Sequence, residues 1–385
     1  MQDAYILDAG RSAIGRRKGL LSTTRPDDLA GNTLKAFVER SGIDPAEVED
    51  VIMGCVTQIG EQGFNIGRMA TLIAGFPVTT TGTTVNRMCA SSLQAVNFGA
   101  QGVMSGMHDL VIGAGVESMS RVGMGTDGGG LSDELLDRFD IIQQGHSAEL
   151  IAQKWGQTRE QLDRMSLASH ERAIAAQDKG YFDAEILALR IPGPEGDHIT
   201  FKTDEGPRRG TTLEKLSSLK PAFRDDGVVT AATSSQISDG AAAVLIGSKA
   251  KAEQLGLKPR AKFRSMAVAG VDPTIMLTGP IPATQKALAK AGLTMDDIGL
   301  FEVNEAFAPV VLSWAQDMAP NDPEKLLERT NVNGGAMALG HPLGCSGARL
   351  LTTLLHEMER RDVQYGLATL CIGFGMAVAT VIERG

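Results

Sequence analysis

Short apolar runs alternate with segments of helical periodicity along the chain. The apolar runs predict buried strands, and they occupy residues 4–9, 48–56, 79–85, 109–114, 241–247, 261–269, 365–370 and 377–382. The helical segments carry apolar residues three and four positions apart, and they occupy residues 27–41, 66–75, 90–104, 147–155, 158–177 and 282–291. Strands that alternate with helices in this way predict an α/β fold with a mostly parallel sheet.

The pattern starts again after Pro259. The strand at 261–269 and the helix at 282–291 resemble the opening strand and the first helix, and the loop and helix at 331–355 resemble the corner near residue 89. A chain of 385 residues also exceeds the size of one ordinary core. We therefore predict a duplication of two α/β halves. The opening strand itself is predicted to end at a turn over residues 10–12.

Composition excludes several classes of partner. The chain is 43% hydrophobic and 22% charged with a net charge of −9, which argues against nucleic acid or an anionic membrane. The amino terminus lacks the pattern of a signal peptide, and no run approaches the ~20 apolar residues of a membrane helix. Residues 202–224 reverse the balance with six basic and three acidic side chains. This stretch predicts either a solvated face or a site for an anion.

The cysteines indicate a reducing compartment and a reactive thiol. Cys55, Cys345 and two others show no C-x-x-C spacing, which excludes the usual zinc and redox motifs and favours a cytoplasmic protein. Cys89 follows a predicted strand and precedes a helix, where unpaired N–H groups and the helix dipole favour the thiolate. The alternative is a small buried hydrophobic residue, and this reading is favoured for Cys55.

Two further motifs carry glycine-flanked chemical groups. Residues 331–344 form a glycine-rich stretch with His341, and residues 371–376 place Cys371 between two predicted strands. Two thiols and an imidazole on tight corners suit nucleophilic thiol chemistry, in which one sulfur attacks and the others move protons. Taken singly, His341 could be a turn histidine and Cys371 a core residue.

Together with the segment Asn304–Ala308, these motifs resemble the thiolase signature, and the resemblance covers essentially the whole chain. It implies two duplicated α/β halves in a layered α-β-α-β-α sandwich with an inserted loop domain. The corresponding limits are residues 1–117, completed by about 241–260, for the first half and 261–385 for the second. Residues 118–240 then form the inserted domain that binds coenzyme A (CoA).

The resemblance also assigns chemical roles. Cys89 is expected to attack the 3-keto carbon of a 3-ketoacyl-CoA, and His341 to take the thiol proton and help bind the oxyanion. Asn304 is expected to position a water molecule as the other oxyanion donor, while Cys371 protonates the enolate that leaves. The backbone N–H groups of Cys89 and Gly373 are expected to hold the oxyanion of the second step. No metal and no prosthetic group is implied, and CoA is a co-substrate.

The expected CoA contacts lie mainly in the loop domain. They are the basic residues Arg208 and Lys215 near the nucleotide, and Ser235, Gln144 and Phe307. Gln144 replaces an apolar residue common in the family, and Phe374 stands where many members have glycine. The acyl pocket is therefore expected to be reshaped.

Several functional alternatives stay open at this stage. The first is a degradative thiolase of β-oxidation that cleaves medium, long or ring-bearing 3-ketoacyl-CoA to acetyl-CoA or propionyl-CoA. Residues 54–62 and 234–243 look closest to members acting on steroid-derived thioesters. The second is an acetoacetyl-CoA thiolase that runs the reverse Claisen condensation, and a third is a non-catalytic CoA-ester binder. The family resemblance further implies a homodimer or homotetramer.

Overall fold

The structure is a computed structural model that describes residues 2–193 and 195–385. Its strands are β1 (Tyr5–Ser12), β2 (Gly15–Arg16), β3 (Asp50–Gly54), β4 (Thr81–Val85), β5 (Leu110–Ser118), β6 (Ile186–Leu187), β7 (Leu189–Pro192), β8 (His198–Phe201), β9 (Ser238–Gly247), β10 (Ala261–Gly270), β11 (Leu300–Val303), β12 (Tyr365–Ile372) and β13 (Met376–Arg384). Its helices are α1 (Pro26–Ser41), α2 (Ile66–Ile73), α3 (Ser91–Ser105), α4 (Asp133–Leu136), α5 (Gln144–Lys154), α6 (Arg159–Asp178), α7 (Leu213–Ser217), α8 (Lys249–Gln254), α9 (Pro280–Ala291), α10 (Ala308–Met318), α11 (Pro323–Glu328), α12 (Ala336–Leu339) and α13 (Leu343–Arg361).

Two sheets of the same topology join edge to edge. The strand order across both is β11-β12-β13-β10-β1-β9-β5-β3-β4, with β2 beside β9 and β6 beside β1. The order β1-β9-β5-β3 in one half matches β10-β13-β12-β11 in the other, with the same parallel and antiparallel steps. The halves meet where Tyr5 pairs with Lys262 and Ile6 with Ala261. The predicted duplication is confirmed.

The prediction of a mostly parallel sheet is wrong, because each half has a mixed sheet. Strand β9 runs antiparallel to both of its neighbours, β1 and β5, and β13 does the same between β10 and β12. The error has a physical cause. These strands are buried on both faces, as β9 is over its whole length. They therefore show the continuous apolar runs that usually mark parallel strands.

Helices cover the sheets in three layers, which gives five layers in all. Helices α3 and α13 pack against each other between the two sheets, while α1 and α2 cover one outer face and α9 and α10 the other. Alternate residues of β9 divide between the two cores that this creates. Ala242, Val244 and Ile246 face the central layer, and Ala241, Ala243 and Leu245 face the outer helices. The catalytic candidates lie at the ends of the central helices.

Strand β1 continues through residues 10–12, where the sequence predicts a turn. Arg11 is fully buried within it and bonds to two carboxylates, with Nε 2.6 Å from Oε1 of Glu185 and Nη1 2.7 Å from Oδ1 of Asp204. These acidic partners come from a distant part of the sequence, so the local pattern does not reveal them. With paired carboxylates, a guanidinium can remain charged in the interior, and the pKa of Arg11 is raised.

Most predicted elements are confirmed to within a few residues. The main shift is α5, which begins at Gln144 rather than at 147 and so brings that side chain to a helix start. The capped start predicted at Thr158 is present as a capping box with Gln161. Across the part of the chain that the structure describes, none of the helices combines the length and hydropathy needed to span a bilayer.

Candidate active site

Cys89 lies at the corner between β4 and α3. The residue before it, Met88, has a left-handed backbone with φ of 44°, which is uncommon outside glycine and turns the chain sharply into the helix. Cys89 is only 4% exposed, yet its side chain lines a cavity. The corner therefore presents a buried sulfur to an enclosed space.

The Cys89 thiol is more buried than the sequence suggests. Burial raises its pKa to about 11, while hydrogen bonds from the backbone N–H of Gly373, from its own N–H and from the Gln144 side chain act in the opposite direction. The prediction that this corner favours a thiolate is therefore wrong for the free site, because desolvation outweighs the N–H groups. Cys89 needs a base that takes its proton.

His341 is held as a neutral imidazole with a defined tautomer. Its Nδ1 lies 2.5 Å from Oγ of Ser346, and that hydroxyl lies 2.8 Å from the carbonyl oxygen of Pro342. A carbonyl can only accept, so Ser346 donates to Pro342 and accepts the hydrogen of Nδ1. Nε2 therefore carries the lone pair. Burial, and secondarily the charge of Arg349, lowers the pKa of His341 to about 3.

Asn304 faces this lone pair. Its Nδ2 lies 3.2 Å from Nε2 of His341, and the residue is 1% exposed. The backbone places it there, since Val303 pairs with Thr369 across the parallel strands β11 and β12, and the N–H of Asn304 donates to the Thr369 carbonyl at 3.0 Å. The carboxyl ends of these two strands therefore lie side by side, where α/β folds commonly bind ligands.

Cys371 lies near that same end of β12. It is fully buried, and burial raises the pKa of its thiol. A Cβ atom on Gly373 would lie 3.0 Å from Nε2 of Gln144 and from Sδ of Met88, so a side chain there would crowd the site.

The cavity beside Cys89 is mainly apolar and has a volume of about 250 Å³. Its apolar lining consists of Val56, Met88, Met124, Ile141, Ile142, Met276, Leu343 and Phe374. Phe374 is 40% exposed and has φ of 61°, a left-handed conformation that strains a residue with a side chain. Gln144 reaches the same cavity, so it lies at the reacting sulfur.

The basic residues predicted to contact CoA line a second cavity. Arg208 and Lys215 lie on it with His170, and its volume is about 260 Å³. The backbone N–H of Ser235 donates to the Ala306 carbonyl at 2.8 Å, which links this segment to the Asn304–Ala308 motif. Phe307 is 8% exposed and packs edge to face on Phe223 at 5.8 Å. Arg208 and Lys215 thus lie apart from Cys89.

Two buried residues that support the site are missed by the sequence reading. Ser346 fixes the His341 tautomer, and its only sequence signal is its place in the first turn after the histidine loop. Glu117 is fully buried and accepts hydrogen bonds from the N–H groups of Val56 at 2.9 Å and Gly344 at 2.8 Å. It therefore joins the cavity wall to the start of α13. The sequence feature that could have identified Glu117 is an acidic residue near the end of an apolar strand.

Comparisons with known proteins agree with this geometry. Residues 4–250 match the N-terminal domain of thiolase and residues 257–384 match its C-terminal domain. The chain is 46% identical to the steroid 3-ketoacyl-CoA thiolase FadA6 of Mycobacterium tuberculosis, covering 100% of this chain and 95% of that protein. It is 47% identical to a 3-ketoacyl-CoA thiolase of Psychrobacter cryohalolentis, covering 100% and 98%.

A solved structure gives the same result at the level of the fold. The crystal structure of the Bacillus anthracis acetyl-CoA acetyltransferase superposes with a TM-score of 0.91 at 39% identity, and the match covers 100% of this chain and 99% of that one. The chain belongs to the thiolase family, a class of acyltransferases. The predicted family and layered fold are confirmed.

Proposed function

We propose that the protein cleaves a 3-ketoacyl-CoA with CoA through an acyl group carried on Cys89. The Cys89 sulfur attacks the 3-keto carbon, and the bond between carbons 2 and 3 breaks to release the enolate of acetyl-CoA or propionyl-CoA. Cys371 protonates that enolate. A second CoA thiol then takes the acyl group and regenerates Cys89. The reverse sequence is the Claisen condensation.

The observation that carries the proposal is the pairing of a protonated nucleophile with a prepared base. With a pKa of about 11, Cys89 is a thiol at neutral pH, whereas Nε2 of His341 carries a lone pair, which faces the Asn304 amide, because Ser346 holds the hydrogen of Nδ1. A buried imidazole resists protonation. We infer that the proton moves to it as negative charge develops on the nearby substrate oxygen, which stabilises the imidazolium.

Two oxyanion sites follow from the donors around the sulfur. We propose that the backbone N–H groups of Cys89 and Gly373, which oppose the raised pKa of the Cys89 thiol, hold the carbonyl oxygen of the acyl-cysteine. We assign the other site to His341 and a water molecule held by Asn304. Each such donor typically contributes about 3–4 kcal/mol to stabilising the transition state.

We propose that CoA is held by the inserted loop domain, residues 118–240. The guanidinium of Arg208 and the ammonium of Lys215 line one cavity and suit the phosphates of the nucleotide. Ser235 donates its backbone N–H to the Ala306 carbonyl beside Phe307, and we assign both residues to contacts with the pantetheine arm. Gln144, whose amide reaches the Cys89 sulfur, is assigned to the thioester end of that arm.

We propose a bulky apolar acyl group as the substrate of the degradative direction. A cavity of about 250 Å³ beside Cys89 exceeds what an acetyl group fills, and its lining of methionine, isoleucine and phenylalanine side chains suits hydrocarbon. Similarity to a steroid 3-ketoacyl-CoA thiolase supports a ring-bearing acyl chain. Acetoacetyl-CoA is the second candidate, because a relative of the same fold is named an acetyl-CoA acetyltransferase.

We further propose that the protein acts in the cytoplasm as a homodimer or homotetramer. Strand β4 lies at the free edge of its sheet with one side of its ladder unpaired in the chain. Large apolar side chains stand exposed in the segments that flank it, including Phe64 at 97% and Val78 at 78%. A second copy pairing along this edge would cover both features. Light scattering of the purified protein tests this directly.

The test of the function is CoA-dependent cleavage of 3-ketoacyl-CoA thioesters of increasing acyl size by wild type, Cys89→Ala and Cys345→Ala. Cys345 is also a buried free cysteine but has no place in the mechanism, so it is the matched control. We expect turnover to vanish in Cys89→Ala and to persist in Cys345→Ala. Retained turnover in Cys89→Ala would refute the acyl-cysteine route, and a preference for acetoacetyl-CoA would refute the bulky substrate.

A further inference from the structure

A charged pair stands directly behind the catalytic base. Arg349 lies three residues after Ser346 on α13, and Glu302 lies two residues before Asn304 on β11. These spacings return to the same face of a helix and of a strand. Arg349 therefore lies on the same face of α13 as Ser346, and Glu302 on the same side of its strand as Asn304. Ser346 and Asn304 are the two residues that contact the ring nitrogens of His341. The closest charged atoms of Arg349 and Glu302, Nη1 and Oε2, are 3.6 Å apart.

The pair is enclosed and poorly satisfied. Arg349 is fully buried and Glu302 is 3% exposed. Among the described residues, none of the three guanidinium nitrogens of Arg349 has a hydrogen-bond partner, and neither does Oε2 of Glu302. A buried arginine normally gains several such bonds, and an unpaired buried charge is costly. The pair therefore interacts by charge at close range rather than through a fixed fork of hydrogen bonds.

Glu302 is the only one of the neighbouring carboxylates without other partners among the described residues. The acidic groups that act on Glu302 electrostatically are Glu185, Glu305 and Glu357. Each of these already accepts hydrogen bonds. Glu185 accepts from Arg11 and Thr353, and Glu305 accepts from Ser169, Asn331 and the N–H of Met337. Glu357 accepts from Asn333 and Arg360. The charge of Arg349 also acts on Glu305, but Glu302 is the carboxylate that forms an ion pair with it, at 3.6 Å.

The charge of Arg349 acts on the base. Burial is the larger cause of the lowered pKa of His341 and the charge of Arg349 is the second, and that charge also lowers the pKa of the Cys345 thiol against the larger effect of burial. Burial raises the pKa of Glu302 to about 8, and Arg349 opposes that shift. The charge of Glu302 therefore changes near pH 8.

We propose that Glu302 and Arg349 are positioning residues whose balanced charges keep His341 basic enough to accept the Cys89 proton. The inference rests on the proposed thiolase reaction. When Glu302 is ionised, it offsets Arg349, and a proton on His341 meets less repulsion. When Glu302 is neutral, Arg349 stands uncompensated behind the imidazole and opposes its protonation. The basicity of His341 thereby depends on a group that the substrate does not touch.

The experiment compares Glu302→Gln, Arg349→Met and the double variant. Glu302→Gln keeps the shape but leaves Arg349 unbalanced at every pH, so we expect kcat/KM to fall about tenfold or more above pH 8, where Glu302 of the wild type is ionised. In Arg349→Met the lone buried carboxyl can take up a proton and become neutral, so the loss is expected to be smaller. The double variant contains neither charge and is expected to return to within about threefold of the wild type.

Two readouts separate charge from packing. The rate at which iodoacetamide alkylates Cys89, followed against pH, should slow above pH 8 in Glu302→Gln and recover in the double variant. The pH profile of thiolysis should lose the step assigned to Glu302 in both. Asp163→Asn is the matched control, because Asp163 is a buried carboxylate on α6 with an arginine partner of its own, Arg159 at 2.8 Å. It should leave both profiles unchanged.

Glu302→Asp keeps the charge and loses a methylene, so the proposal predicts the wild-type pH profile for it. A packing role predicts a larger loss than in the isosteric Glu302→Gln. A double variant more than about tenfold slower than the wild type overturns the proposal, even where Glu302→Gln alone does not fold. Absence of thiolysis in the wild type would instead refute the proposed function.

Discussion

The hydroxyl of Ser346 is the most direct test of how the base is prepared. Ser346 is fully buried, accepts the Nδ1 hydrogen of His341 at 2.5 Å and donates to the Pro342 carbonyl at 2.8 Å. Replacing it by alanine leaves a buried N–H without an acceptor, which costs about 1–3 kcal/mol. The ring can avoid that cost only by moving its proton to Nε2, and the lone pair facing Asn304 is then lost.

The expected loss follows from that penalty. If the hydroxyl favours the reactive tautomer by about 2 kcal/mol, its removal reduces the population with a free Nε2 by roughly 30-fold. We expect kcat for thiolysis to fall by about that factor in Ser346→Ala. KM should change little, because Ser346 lines neither the cavity at Cys89 nor the one at Arg208. Alkylation of Cys89 at neutral pH should slow in parallel.

A matched hydroxyl on the same helix separates this effect from general destabilisation. Thr352 is fully buried, and its hydroxyl donates to the Ala348 carbonyl at 2.8 Å without reaching His341. Thr352→Val should therefore keep the wild-type kcat. Steady-state kinetics of both variants, with urea unfolding to confirm that each is folded, decides the matter. A Ser346→Ala enzyme within about threefold of the wild type would refute the tautomer assignment.

Three further predictions concern stability, substrate range and CoA. Burial, and then the charge of Arg208, lowers the pKa of His170 from 6.5 to about 4. His170 therefore binds a proton at higher pH in the unfolded chain than in the folded protein. Between about pH 7.5 and 5, the free energy of unfolding should fall by about 2 kcal/mol more in the wild type than in His170→Asn. Equal losses in the two proteins would contradict the assignment. Phe374→Gly should widen the cavity and raise kcat/KM for bulky thioesters relative to acetoacetyl-CoA by about tenfold, with unchanged ratios contradicting a role in specificity. Arg208→Gln should raise KM for CoA about threefold to tenfold at constant kcat, whereas Arg224→Gln, paired with its neighbour Asp226 outside that cavity, should not.

The local sequence is informative where chemistry and chain conformation coincide. Cys89, His341 and Cys371 each lie in a short motif at a corner of the chain, and glycines flank His341 and Cys371, because a tight corner is needed both to turn the chain and to present a side chain. The apolar runs likewise predict β5 and β9 to within a few residues, since burial selects aliphatic side chains whatever the topology. The sequence pattern does not reveal the direction of these strands, because antiparallel strands buried on both faces carry the same apolar runs as parallel strands.

Partners across the fold stayed hidden for a different reason. The local pattern predicts Arg11 in a turn, because its partners Glu185 and Asp204 are distant in sequence. The electrostatic balance at Glu302, on strand β11, depends on Arg349 from helix α13. Such partners are far apart in the chain, so no local window of residues contains both.

By itself, the sequence determined the family and the duplicated α/β halves, and it predicted the residues proposed to carry the chemistry, because each depends on short motifs and on the periodicity of burial. Only the tertiary structure decided the protonation of the site. Desolvation makes Cys89 a thiol, and Ser346 leaves the lone pair of His341 on Nε2. Both are consequences of what surrounds a group in three dimensions, and the energy of a charge in a protein depends on those surroundings.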